Sequence, residues 1–359
     1  MIKKLFKTKP YKKGYQPLIN KNLKFNTNEN PYHPEIKIIK NIIKEIKFLG
    51  NKLKFYPEDS SRLIRFQISK YYNIKKNKIF VGNGSDDVLC NIFLTFFKNK
   101  KVLYLIDITY SFYESFIKLY KINYKIIKLN KNFSMNLKFI KNNKNNIIIN
   151  NPNAPTGKII KYLKLKIICK KNKSLIVIDE TYVDFNGLSL IKYLNKIKNI
   201  IINQTFSKSR SLAGARVGFA IAGCHKLIKK MNISKNCLNS YPVNIISQIS
   251  IKNIFVNNNY FKKIKKKIIK NKNYLTKKLK ILNFTTIKSY TNFIFTTNKK
   301  INVNKLIKFL NNKNIFIRKF EIPKIENYLR ITIGKINELV LMIKFIKKFI
   351  IKKLWTNKN

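Results

Sequence analysis

The sequence predicts an α/β protein, with a large domain built on a mostly parallel sheet flanked by helices and a smaller α+β domain. Three observations carry that expectation. From about residue 78 to 222, short apolar runs alternate with helix-length amphipathic stretches, the pattern of a parallel sheet covered on its faces. Each apolar run ends at a polar or Gly-containing turn. The last hundred residues change character, with strand-like runs set among long Lys-rich helices.

The runs KIFVGNG, KVLYLID, NNIIINN, SLIVIDE, NIIINQT and RVGFAIA read in turn as buried strands. SDDVLCNIFLTFF and YSFYESFIKLYKI read as helices between them. Beyond residue 250, KSYTNFIFTT, NIFIRKF and NYLRITIG read as further strands. The final helix places Leu339, Met342, Ile343, Ile346, Phe349 and Ile350 on one face. Such a basic amphipathic helix can lie on a membrane; packing on its own domain is the preferred expectation. The expected organisation is an N-terminal segment, 1–40, joining the small domain, then a large domain over 41–250 and a small domain over 251–359. Lys or Asn breaks every apolar run short of the ~20 residues that a membrane span needs. MIKKLFKTKPYKKGY lacks the apolar stretch of a secretory signal, so a cytoplasmic protein is expected.

A net charge of +61 suggests nucleic acid or an anionic surface at first sight. The composition argues against it. Only six of the 76 basic residues are Arg, only five residues are Ala, and Lys is spread along the whole chain. Lys, Asn, Ile, Phe and Tyr, which have AT-rich codons, have expanded instead, so compositional drift explains the charge. In such a chain a persisting Arg, Gly or Pro marks a place where Lys, Asn or Ser cannot substitute. The four Cys have no paired spacing and there are two His, so no metal site is expected.

Ligands of parallel sheets bind at the carboxyl ends of the strands, so the residues that follow each run are the candidates. GNGSDD, Gly82 to Asp87, offers free backbone N–H groups at a helix start, which suits a phosphate. Tyr110 follows the next run and can pack or stack on a flat ring. NPNAPTG, Asn151 to Gly157, is dense turn punctuation that aims Asn side chains into a cleft. Asp179 closes a buried apolar strand, a costly place for a carboxylate unless a cation meets it; the protonated pyridine of pyridoxal phosphate is one such cation. Lys208 can bond a carbonyl carbon and act as a base when freed. Its neighbours Ser207, Gly214, Arg216 and Gly218 carry more signal than the Lys itself in a chain this rich in Lys. Arg318 and Arg330 lie twelve residues apart on strand-like runs, where a guanidinium fork suits a carboxylate or phosphate.

Taken together and in this order, FNTNENPY, YPE, GNGSDD, TYSFY, NPNAPTG, DETYVDF, TFSKSRSLAGARVGF and YLRITIG resemble the signatures of the histidinol-phosphate aminotransferase family. The resemblance covers residues 10 to about 335. The KPY and NENPY openings and the LRITIG ending point to that branch within fold type I of the pyridoxal-phosphate-dependent transferases. It implies that Lys208 holds the cofactor covalently, that Asp179 meets the pyridine nitrogen, and that Tyr182 bonds the phenolic oxygen. It implies further that Tyr110 stacks on the ring, and that Gly84, Ser85, Ser207 and Arg216 cradle the phosphate, with Tyr56 arriving from a second subunit of a homodimer. Tyr11, Arg318 and Arg330 would hold the substrate anion. The family commonly has Asn directly before Pro-Thr-Gly, where this chain has Ala154, and Asn153 is expected to replace it. The implied reaction is amino transfer from glutamate to imidazole-acetol phosphate, in histidine biosynthesis. The alternatives are an aromatic aminotransferase or a threonine-phosphate decarboxylase of the same family, and outside enzymes a basic RNA-binding protein.

Overall fold

A computed structural model describes residues 11–17, 22–98, 101–137, 144–252, 254–255 and 258–356. Residues 1–10, with the Lys9 and Pro10 of the KPY opening, lie outside it. Two sheets organise the chain. The larger has seven strands: β2 (Ile79–Gly82), β3 (Leu103–Ile106), β4 (Tyr124–Ile127), β5 (Asn146–Asn150), β6 (Ile176–Asp179), β7 (Ile200–Thr205) and β8 (Gly218–Ala222), in the order β2-β8-β7-β6-β5-β3-β4. β8 runs antiparallel to both its neighbours and the other pairings are parallel.

The strand sequences explain the layering. Side chains alternate across a sheet, so Ile147, Ile149, Ile176, Ile178, Ile200, Ile202 and Ile221 fill one face. Ile148, Val177, Ile201, Ala220 and Ala222 fill the other. The first face is covered by α2 (Arg62–Tyr72) and α5 (Tyr162–Lys171), through Ile64, Ile68, Leu165 and Ile168. The second is covered by α3 (Ser85–Ile92), α4 (Phe112–Leu119) and α6 (His225–Leu238). Both faces are apolar, as continuous Ile and Val runs require.

The second sheet has the order β1-β11-β12-β10-β9, built from β1 (Leu23–Phe25), β9 (Thr285–Ile287), β10 (Phe293–Thr297), β11 (Ile315–Lys319) and β12 (Tyr328–Thr332). β1 lies parallel to β11, which ties the N-terminal segment to this sheet. Its core is shared with α8 (Asn258–Ile281), α9 (Val303–Asn311) and α10 (Ile336–Thr356). Leu339, Met342 and Ile346 of α10 are fully buried, and Ile343, Phe349 and Ile350 pack beside them, so that apolar face covers its own domain. Among the described residues, no helix is long and apolar enough to cross a membrane. Ala154 and Tyr182, which follow β5 and β6, also join this second core, so the two sheets meet where the candidate residues lie.

Candidate active site

A cavity of about 190 Å³ lies at the carboxyl ends of β6 and β7. It opens toward a larger groove of about 1190 Å³, with Tyr11, Lys13, Asn26 and Arg318 common to both. β6 delivers Asp179, which is 2% exposed. Its carboxylate accepts from the Tyr113 hydroxyl at 2.7 Å, the Thr181 hydroxyl at 2.7 Å and N–H at 3.2 Å, and Asn203 Nδ2 at 3.1 Å. Burial pushes its pKa up, and these donors pull it back down.

Lys208 follows β7 and enters the same cavity, where Nζ donates to the Thr27 carbonyl at 3.1 Å. Desolvation, then the Arg330 charge, lowers its pKa to about 8, against the opposite pull of Glu29 and Asp86. A Lys tuned in this way reaches its neutral, nucleophilic form more readily than an exposed one. The Tyr182 hydroxyl accepts from Asn28 Nδ2 at 2.8 Å, and burial raises its pKa to about 12.

A phosphate-sized corner lies at the start of α3. Gly84 has φ 86°, and a Cβ there would come within 2.5 Å of Arg216 Nη2. A Cβ on Gly218 would come within 2.4 Å of the Ser85 nitrogen. Gly218 is therefore needed for β8 to approach the turn, and Gly84 for the turn's positive φ; a Cβ at 84 would also displace the Arg216 guanidinium. Arg216, Ser85 and Ser207 all line the cavity, and Asp86, 3.8 Å from Arg216, is also hydrogen-bonded by the Tyr110 hydroxyl at 3.0 Å. The helix start and the Arg216 charge make this an anion-binding corner.

Opposite it, Arg318 and Arg330 are direct cross-strand partners on β11 and β12. Arg330 donates to the Asn26 carbonyl at 2.8 Å, and its buried Nε has no hydrogen-bond partner among the described residues. Arg318 donates to the Lys12 carbonyl at 2.6 Å. Like charges facing each other across a sheet repel, so the pair calls for an anion between them. Tyr11 stands beside them, edge-on to Tyr110 at 6.0 Å and to Phe112 at 5.0 Å.

A family model for class I and II aminotransferases matches residues 20–344. A histidinol-phosphate aminotransferase of Clostridium beijerinckii is 40% identical over 343 residues, which cover 95% of this chain and 94% of that protein. The chain belongs to the class I and II aminotransferase family. As a member it is a pyridoxal-phosphate-dependent transaminase. Its fold is shared by a putative histidinol-phosphate aminotransferase of Erwinia carotovora atroseptica, at a TM-score of 0.82 and 21% identity over 92% of this chain and 97% of that one. It is shared too by the histidinol-phosphate aminotransferase of Clostridium acetobutylicum, at a TM-score of 0.80 and 23% identity over 91% and 98%. These are fold type I structures, and the likeness concerns the fold alone.

The transaminase's residues fit the cofactor: a buried carboxylate, a Lys of lowered pKa, and an anion corner whose close backbone approach depends on Gly218. Most of the residues expected from this chain's own subunit converge here, with one difference. Asn153 is not among the residues lining the cavity; its Nδ2 donates to the Ile108 carbonyl and to Thr156 Oγ1, both at 2.9 Å. Asn150 and Ala154 line the cavity instead, and the Asn150 side chain bonds the Asp179 carbonyl and the Ala154 N–H. Tyr56 lies away from this chain's cavity, 82% exposed and stacked on Tyr241 at 4.8 Å. Asn28, Tyr113 and Asn203 are not singled out by the sequence, although they sit inside the runs FNTNENPY, TYSFY and NIIINQT.

Proposed function

We propose that this transaminase moves the amino group of glutamate onto imidazole-acetol phosphate, giving histidinol phosphate and 2-oxoglutarate in histidine biosynthesis. The observation that carries the reading is the facing Arg318–Arg330 pair in the cavity of Lys208 and Asp179, since it suits an anionic substrate at the reacting group. The 40% identity to a histidinol-phosphate aminotransferase along almost the whole chain supports the same choice.

Lys208 is the residue to hold pyridoxal phosphate covalently; Gly84, Ser85, Ser207 and Arg216 hold its phosphate, and Tyr110 packs against its ring. When bound, the cofactor supplies a protonated ring that draws electrons from the substrate Cα. Asp179 would keep the proton on the pyridine nitrogen, since attraction between opposite charges strengthens in the low-dielectric interior. Lys208 Nζ, when free, would serve as the base that takes the proton from the substrate Cα and hands it on. Tyr182 donates its hydroxyl proton toward the phenolic oxygen. Arg330 and Arg318 hold substrate carboxylate or phosphate, with Tyr11 closing the cavity. Asn153 acts as a strut of the NPNAPTG turn, and Asn150 takes its place beside the ring.

The two sheets are read as a large domain over 41–250 and a small one over 251–359, joined by the segment 1–40. A homodimer fits the exposed run Phe48, Leu53, Phe55 and Tyr56, which are 58–82% exposed. Tyr56 then serves the partner subunit's cofactor phosphate. The protein is read as cytoplasmic, with no specific nucleic-acid partner.

The test is purified protein assayed with histidinol phosphate against phenylalanine and tyrosine as amino donors to 2-oxoglutarate. A clear preference for histidinol phosphate is expected. Equal or faster turnover of the aromatic amino acids overturns the substrate assignment.

A further inference from the structure

Asn28 is only 1% exposed and sits in the left-handed region at φ 58°, which Asn tolerates better than most residues. It bridges the two sheets. Its N–H donates to Thr332 Oγ1 at 3.0 Å, and its carbonyl accepts from Asn292 Nδ2 at 2.9 Å. The Thr332 hydroxyl donates to Asn28 Oδ1 at 3.2 Å, and Asn28 Nδ2 donates to the Tyr182 hydroxyl oxygen. An amide N–H cannot accept a hydrogen bond. The Tyr182 oxygen is therefore the acceptor in this 2.8 Å contact, and its own single proton must point elsewhere. Both residues line the cavity, which is the direction left.

We propose that Asn28 is a positioning residue that fixes the direction of the Tyr182 proton, aiming it at the phenolic oxygen of the bound cofactor. The inference rests on the pyridoxal-phosphate reading of the cavity. Donation to that oxygen favours its ionised form, so the bound cofactor should ionise at lower pH than it would without Asn28. Thr332 of β12 bonds the Asn28 side chain, and Asn292, directly before β10, holds its backbone in place. No feature of the local sequence reveals this, because residues 28, 182, 292 and 332 meet only in the fold.

The test compares Asn28→Asp and Asn28→Gly in the cofactor-loaded protein. Asp has nearly the same shape but accepts, so Tyr182 would turn its proton toward it. Gly removes the donor and allows the same φ. The readout is the pH midpoint of the visible absorption band, with cofactor affinity measured alongside. The midpoint should rise by about one to two pH units in Asn28→Asp, the worth of one hydrogen bond to a charged group. It should rise by less in Asn28→Gly. In a Tyr182→Phe background the shift from Asn28→Asp should shrink, since only the direct effect of the new charge remains. Unshifted midpoints in both variants with cofactor bound, or an undiminished shift without the Tyr182 hydroxyl, would overturn the proposal. If Asn28→Asp fails to fold, Asn28→Gly decides alone by the same midpoint. An unaltered chain that shows no visible band with the cofactor would instead remove the cofactor reading on which the proposal stands.

Discussion

Asp179 and Glu180 are neighbours at the end of β6, equally buried at 2% exposed, yet they belong to two different regions. Asp179 borders the cavity that holds Lys208. Glu180 faces a closed network: Ser189 and Leu190 donate to it, as does Gln204 at 2.8 Å, and Gln204 in turn accepts from the Tyr72 hydroxyl. The two Arg residues of the loop between β7 and β8 also divide between these regions, here with different burial. Arg216 is exposed beside the anion corner, while Arg210 is buried, with its guanidinium 3.6 Å over Phe261 and near Tyr71 and Phe255. Burial and charge alone do not distinguish a working residue from a structural one. Access to a space that another molecule can enter does.

The comparison breaks most directly at Lys208. Lys208→Ala should abolish turnover, and borohydride reduction of the cofactor-loaded protein should no longer fix cofactor to the chain. Labelling of any other Lys would move the working region away from this cavity. The next largest contrast is within the pair. Asp179→Asn removes the charged partner of a buried cation, a change of about 3–5 kcal/mol, so kcat/KM should fall on the order of a hundred- to a few thousandfold. Glu180→Gln changes no group bordering the cavity, and kcat/KM should fall less than about tenfold. Comparable losses in both variants would erase the distinction between the regions.

Arg330→Lys sharpens it from the opposite wall. Lys keeps the charge but not the planar fork, so the loss should be about 1.5–3 kcal/mol, roughly ten- to a hundredfold in kcat/KM for the anionic substrate. Cofactor affinity should hold, because the cofactor phosphate is assigned to the α3 corner. If the substitution releases cofactor and leaves substrate kinetics intact, the division of labour between the two walls fails.

How much of this was legible depended on how local the signal was. Six strands of the large sheet, the five interior ones and the edge strand β2, stand out because both their faces are buried under apolar side chains. β4 is hidden, since Tyr124, Lys125 and Ile126 are exposed on an edge strand and leave no buried apolar run to read. β1 and β9 are three residues each and carry no period to count. Lys208, Asp179 and Tyr182 were readable from ordered motifs after strands. The Asn153 contact was not, because the rotation of an Asn inside a Pro-bounded turn is decided by its packing against Ile108 and Thr156. The persistence of Arg pointed correctly to Arg216, Arg318 and Arg330 as cavity residues, and less usefully elsewhere. Arg65 uses its fork on the Lys76 carbonyl at the surface, and Arg210 needs its flat face against aromatic rings.

The smallest effect concerns the closed region alone. Burial raises the Glu180 pKa to about 7 from an ordinary 4.5, because its hydrogen bonds offset only part of the lost solvation. Between those two values the folded chain holds a proton that the unfolded chain has released. The contribution to stability is therefore complete below about pH 4.5 and lost as the pH rises toward 7. Gln at this position cannot titrate. The stability of the unaltered apoprotein relative to Glu180→Gln should fall on the order of 1–3 kcal/mol across that window and stay level above it. Denaturant melts of both proteins at half-unit steps of pH measure the difference. A flat difference would mean that Glu180 is ionised in the fold at mildly acidic pH, its three donors outweighing burial. Glu180 would then resemble Asp179 in charge as well as in burial, and access to the cavity would be the one property separating them.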